Sequence, residues 1–201
     1  MKSLRATCLC CCMIAGCGQA RHTAMVDYTT MSEHIQQQTD RAKELNLKAV
    51  GLVEDNDYQR AEAVLKDALS YDVTYGPAHN NLGKVYFHQQ KYYLAAWEFE
   101  HASRLMPHQP EPRNNLGLVF ENVGRIDDAV SWFEKALEIE PDNPLLIGNL
   151  ARAKLERGDK DEQVHQLLSD LVLRDTRPEW VAWSREQLAL LAGAAPDERA
   201  E

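Results

Sequence analysis

Apolar and small residues recur through most of this chain at helical spacing. Leu82, Gly83 and Tyr86 fall on one face at i, i+1 and i+4, and Ala95, Phe99 and Ala102 on another at i, i+4 and i+7. That spacing predicts two amphipathic helices. The pattern returns as Leu116, Gly117 and Phe120, then Ala129, Phe133 and Ala136, each 34 residues after its counterpart. Flanking residues repeat with it: His79-Asn80-Asn81 against Arg113-Asn114-Asn115, and Pro107 against Pro141. One such hairpin cannot bury its apolar face alone, so a fixed period predicts a stack of hairpins sharing one core. The small residues at Gly83, Ala95, Ala102, Gly117, Ala129 and Ala136 mark close helix approaches, and Tyr86, Phe99, Phe120 and Phe133 fill the gaps between them. A glycine inside a helix costs about 1 kcal/mol relative to alanine, so its return one period later points to a packing need. Pro107 and Pro141 end the second helix of each unit, and Gly124 lies in the turn between helices.

With L-G-x-x-aromatic, A-x-x-x-F and P repeated on this period, the chain resembles the tetratricopeptide-repeat family. The resemblance implies an all-α solenoid, a right-handed superhelix of helix-turn-helix units. The folded domain is expected over 32–192, with three clear repeats at about 42–75, 76–109 and 110–143, a degenerate fourth at 144–177 and a C-terminal capping helix at 178–192. In the first repeat Ala49, Leu52, Ala61, Leu65 and Ala68 keep the register, Asp55-Asn56-Asp57 forms the turn, and Lys48 and Val73 depart from the usual leucine and proline. Ser32 is placed to cap its leading helix. In the fourth, Gln163 and Asp170 replace small residues, while Leu167 and Leu171 remain. Thr176-Arg177-Pro178-Glu179 resembles a capping box opening the last helix, whose Trp180 and Trp183 read as packing residues. The polar residues 193–201 are expected to be a disordered tail.

The amino terminus has a different character. All five cysteines lie within the first 17 residues, after the basic Lys2 and Arg5, four of them in the short apolar run from Ala6 to Ile14. Ile14-Ala15-Gly16-Cys17 resembles the lipobox of bacterial lipoproteins. The resemblance implies a signal peptide at 1–16, lipidation of Cys17, a polar tether over 17–31, and anchoring through acyl chains at about 0.8 kcal/mol per buried methylene. The remaining 185 residues would hold no cysteine pair to bridge. Gly18 in place of an aspartate leans towards the periplasmic side of the outer membrane rather than the inner membrane. The net charge of −9 becomes −11 without Lys2 and Arg5. A domain so acidic is a poor partner for nucleic acid or an anionic bilayer surface.

No Gly-rich phosphate loop, no His-Glu-x-x-His and no Cys-x-x-Cys beyond the leader occurs. The chain is therefore not read as an enzyme, and no cofactor, metal or small-molecule substrate is expected. His79, His88, His101 and His108 crowd into one repeat, but helical phase does not bring three of them to one face. Asn81, Asn115 and Asn149 recur every 34 residues on the first helix of successive units. Stacking would line them along the concave wall, where amides can hold the backbone of an extended peptide without reading its sequence. The same amides can instead bond neighbouring helices and stiffen the stack. Lys84, His88, Leu118, Asn122 and Arg152, with Asn80 or Asn114, complete a mixed groove. The lysine-asparagine spacing used by carboxylate-clamping repeats is absent, since the matching pairs are Asn46 with Val50 and Asn80 with Lys84. The expected role is a membrane-anchored scaffold for a protein or peptide partner. The alternative is a structural spacer, or an accessory subunit of a pilus, secretion or cell-wall enzyme complex working through another face.

Overall fold

The computed structural model describes residues 28–193, which form nine helices. Four hairpins follow one another: α1 (Tyr28–Glu54) with α2 (Tyr58–Tyr71), α3 (Gly76–His88) with α4 (Tyr92–Leu105), α5 (Glu111–Asn122) with α6 (Ile126–Leu137), and α7 (Pro144–Arg157) with α8 (Glu162–Arg174). A single helix, α9 (Pro178–Leu191), packs on α8. Each helix packs on the next, and the first helices also meet directly, α1 on α3 and α3 on α5. That crowding puts the first helices on the inner side of the curve. Phe120 joins the two halves of the core, which run from Leu45 to Val119 and from Ala129 to Leu171.

The turn inside each hairpin is the same object four times. Asn56, Gln90, Gly124 and Gly158 all have positive φ, at 59°, 59°, 74° and 96°. They stand one period apart. In each, the amide of the following residue reaches back five positions: Asp57 to the Leu52 carbonyl, Lys91 to Tyr86, Arg125 to Phe120 and Asp159 to Lys154, at 2.8, 2.8, 2.8 and 3.0 Å. This left-handed closure satisfies the last carbonyls of each first helix.

The glycines under the aromatic rings are required by space. A Cβ at Gly83 would lie 2.6 Å from Cδ1 of Phe99, and one at Gly117 would lie 2.5 Å from Cδ1 of Phe133. Both rings are buried, so neither has solvent to swing into.

Three local expectations need correction. Ser32 is not an N-cap but lies inside α1, which is 27 residues long and starts at Tyr28, taking residues 28–31 from the expected tether. No proline or glycine stands between Tyr28 and Gly51 to stop the helix. Residues 31–37 are exposed, and Thr39 ties the extension to the stack, its hydroxyl donating to Asp72 Oδ2 at 2.8 Å. The capping box at Thr176 is also absent. Arg177 is the N-cap, without a side-chain cap bond, and its backbone N–H donates to Asp175 Oδ1 at 2.9 Å. Finally, the second helix of the fourth repeat is turned by about one residue. Gln163 is exposed, and Val164, Leu167, Leu168 and Leu171 make the buried face. Cys17, the leader, the rest of the tether and residues 194–201 lie outside the described residues. No helix among the described residues is long and apolar enough to cross a membrane.

Candidate peptide-binding groove

The asparagines form two interleaved ladders. Asn81 Nδ2 donates to Asn46 Oδ1 at 2.9 Å, Asn115 to Asn80 at 3.1 Å and Asn149 to Asn114 at 2.7 Å. Each bond links one first helix to the one before it. Asn46, Asn80, Asn114 and Asn149 are buried, whereas Asn81 and Asn115 are half-buried. Asn149, only 4 % exposed, therefore does not reach the groove surface. An amide with one N–H committed keeps a second N–H and a carbonyl oxygen, so Asn81 and Asn115 can stiffen the stack and still face a ligand. The doublets Asn80-Asn81 and Asn114-Asn115 carry the signal for this pairing, because each supplies an acceptor and a donor to opposite neighbours.

Between α3 and α5 the concave wall opens into a pocket of about 300 Å³ lined by Lys84, Phe87, His88, Phe99, Asn115 and Leu118. Four of these lie on the face that the sequence indicates. Phe87 and Phe99 are additions, Phe99 having been assigned wholly to the core. The ring of His88 stacks on Tyr58 with centroids 4.9 Å apart and meets Phe87 edge-on at 6.2 Å. Asn122 and Arg152 do not join this pocket. Asn122 Nδ2 donates to the Leu118 carbonyl of its own helix at 2.8 Å. Arg152 makes a two-pronged pair with Glu121 at 2.9 and 2.8 Å.

Two family models match the sequence, both described as tetratricopeptide repeats, over residues 46–104 and 110–143. This chain is a tetratricopeptide-repeat protein. Solved structures agree on the fold. The first repeat domain of Spaghetti (RPAP3), solved bound to the HSP90 peptide SRMEEVD, is similar with a TM-score of 0.58 and 18% identity, over 60% of this chain and 96% of that one. MamA is similar with a TM-score of 0.58 and 18% identity, over 79% of this chain and 86% of that one. Among curated proteins none matches the sequence.

In this tetratricopeptide-repeat stack the groove ends at α9. Trp180 lies over Gly148, where an added Cβ would come within 2.9 Å of the indole. Gly148 stands one period after Asn114, so the wall loses its amide where the indole arrives. Trp183 stands one period after Asn149 and meets Trp180 edge-on at 5.4 Å. Arg152 and Arg177 lie over Trp180 at 5.9 and 4.9 Å. A smaller hollow of about 230 Å³ remains between Arg152, Glu179, Trp180 and Trp183.

Two features lie off the groove. In the second repeat, His79 Nδ1 is 2.7 Å from Glu98 Oε2 and its Nε2 is 2.9 Å from the Val73 carbonyl. His101 stacks on His79 at 4.5 Å and faces Trp97 at 5.3 Å. Burial opposes a charge on His79. The hydrogen bonds from Glu98 and Val73, with the charge on Glu98, outweigh it and hold its pKa above the ordinary value. Burial, then the neighbouring His79 and Arg104, push His101 the other way. The second feature is an aromatic cleft of about 490 Å³ between α4 and the α5–α6 hairpin, walled by Tyr92, Tyr93, Trp97, Phe120, Val123 and Trp132. Tyr93 is 84 % and Trp97 51 % exposed.

Proposed function

We propose that this chain is a lipid-anchored adaptor of a bacterial envelope that holds an extended segment of a protein partner in its concave groove. The observation that carries the groove reading is the central pocket, where apolar walls meet the exposed cation of Lys84 in an otherwise acidic chain. The half-used amides of Asn81 and Asn115 supply backbone contacts beside it. The HSP90 peptide on a structural neighbour supports peptide binding as a use of the fold, although fold alone does not fix function. Leu118→Arg fills the pocket from its half-exposed wall. After crosslinking in the native cell and mass spectrometry, this variant should capture the partner at least about tenfold less than the natural chain, the scale of one 1.4 kcal/mol contact. Equal capture by a folded variant would contradict the groove reading.

The anchor is read from Ile14-Ala15-Gly16-Cys17, with the periplasmic side of the outer membrane as the proposed site. Cys17→Ser should move the protein from the membrane fraction to the soluble fraction. Retention in the membrane would sink the lipoprotein reading. A second reading, an accessory subunit working through its convex side, is favoured by the exposed aromatic cleft around Tyr93 and Trp97.

A further inference from the structure

One apolar face lies outside the groove. Tyr93 and Leu94 stand one turn before Trp97 on α4, and Val123 lines the same aromatic cleft from the end of α5. All four are exposed. Tyrosine and tryptophan join an apolar ring to a polar edge, which suits them to the boundary between lipid tails and headgroups. The charges around them are settled within the chain: Glu100 pairs with Arg104 at 3.2 Å and Arg125 with Asp128 at 2.7 Å. Two exposed basic side chains also lie along the rings, Arg125 over Phe120 at 4.7 Å and Lys135 over Trp132 at 4.1 Å. Long basic side chains that cover apolar surface keep their charged ends in water or among headgroups. The patch is therefore aromatic and close to neutral, in a chain whose net charge of −9 opposes an anionic surface.

The lipid-anchor reading supplies the surface that such a patch would meet. Residues 17–27 reach about 40 Å at most, at about 3.6 Å per residue. Helix α1, 27 residues long, is itself about 40 Å from end to end. α1 ends, and α4 begins, at the edge of the stack that holds the turns inside the hairpins. The patch therefore lies about one helix length from Tyr28, and a chain anchored at Cys17 is long enough to let that edge reach the bilayer. A tether so short holds the domain at a local concentration in the millimolar range, so a weak attraction is enough to seat it.

We propose that the face formed by Tyr93, Leu94, Trp97 and Val123 rests on the bilayer that holds Cys17, at the headgroup level of a zwitterionic leaflet. The inference rests on the lipid-anchor reading above and adds how the domain sits on its membrane. With the second helices turned to the bilayer, the concave wall built from the first helices faces away from it and stays open to a partner.

The test places a photo-crosslinking amino acid at position 93 or position 118 of the full chain, purified from the native cell and reconstituted with phosphatidylcholine vesicles. Mass spectrometry reads both the state of Cys17 and the adducts formed on irradiation. Phospholipid adducts should come from position 93 and not from position 118. Trp97→Gln, checked for cooperative unfolding, should reduce the adducts from position 93 about tenfold, the scale of one aromatic ring withdrawn from an apolar environment. A chain with acylated Cys17 that gives no lipid adduct at position 93, equal adducts at both positions, or undiminished adducts in Trp97→Gln would overturn this inference and leave the anchor intact. An unmodified Cys17 would overturn the anchor and this inference with it. A protein adduct in place of lipid at position 93 in the native cell would also overturn it, and would give the face to a protein partner.

Discussion

Gly117→Ala should cost about 1–3 kcal/mol of folding stability, although alanine is the better helix former by about 1 kcal/mol. The added methyl would enter the ring of Phe133, with Cδ1 at 2.5 Å. Phe133 has no exposed surface, and Ala129, Val130 and Ala136 are buried on the same helix. Relief therefore requires α5 and α6 to separate, which opens the core on either side. Gly51→Ala is the internal control. Nothing lies within 4 Å of a Cβ there, so the ordinary propensity gain of about 0.5–1 kcal/mol should appear as increased stability. Urea unfolding of both variants tests the pair. Stabilisation of both variants would show that helix propensity alone, and not the packed ring, sets the effect at Gly117. Gly117→Ala combined with Phe133→Leu should recover part of the loss, since the shortened side chain clears the methyl.

His79→Gln should remove a pH dependence as well as stability. His79 has an acceptor at each ring nitrogen, Glu98 and the Val73 carbonyl, an arrangement that favours the doubly protonated ring. Its folded pKa is raised above the ordinary value. A raised basic group contributes stability that is complete below the unfolded pKa of about 6.5 and is lost as pH rises through the folded pKa. The melting temperature of the natural chain should therefore fall as pH rises from about 6.5 into the alkaline range, and the Gln variant should lose that component. His101 has a lowered pKa, so its contribution has the opposite sign and is lost as pH falls below about 6.5. Glu98→Ala leaves the buried imidazolium without its partner and should cost about 3–5 kcal/mol. A melting temperature that rises with pH above 6.5 in the natural chain, or an unchanged slope in His79→Gln, would refute the pairing.

The period of the sequence made the stack legible because packing and turn chemistry repeat together. Gly83 and Gly117 announced their aromatic partners, since a helical glycine is costly unless something occupies the space. Gly124 and Gly158 announced the turn, as did Asn56 within Asp55-Asn56-Asp57, since asparagine tolerates the left-handed region; Gln90 did not, because glutamine adopts it only under the constraint of the same closure. The slip in α8 was hidden because apolar residues stand at both Val164 and Leu167–Leu168, and the neighbouring helices decide which stripe is buried.

The groove was legible only in part. A helical face gathers Lys84, His88 and Leu118 from spacing alone. It cannot show that Asn149 is buried, or that Phe99 floors a pocket from the second helix, because both depend on how far adjacent hairpins rotate. The asparagine ladder was visible as a period of 34, whereas the bonds run between residues 35 apart. Partners offset by one residue do not appear in a search for equal spacing.

The central claim is that the concave wall around Leu118 is the working surface. The most direct measurement places a photo-crosslinking amino acid at position 118 in one form of the full chain and at position 93, in the convex cleft, in another, with irradiation in the native cell. The account predicts a discrete protein adduct from position 118 and none from position 93. An adduct from position 93 with nothing from position 118 would contradict it and move the working surface to the aromatic cleft.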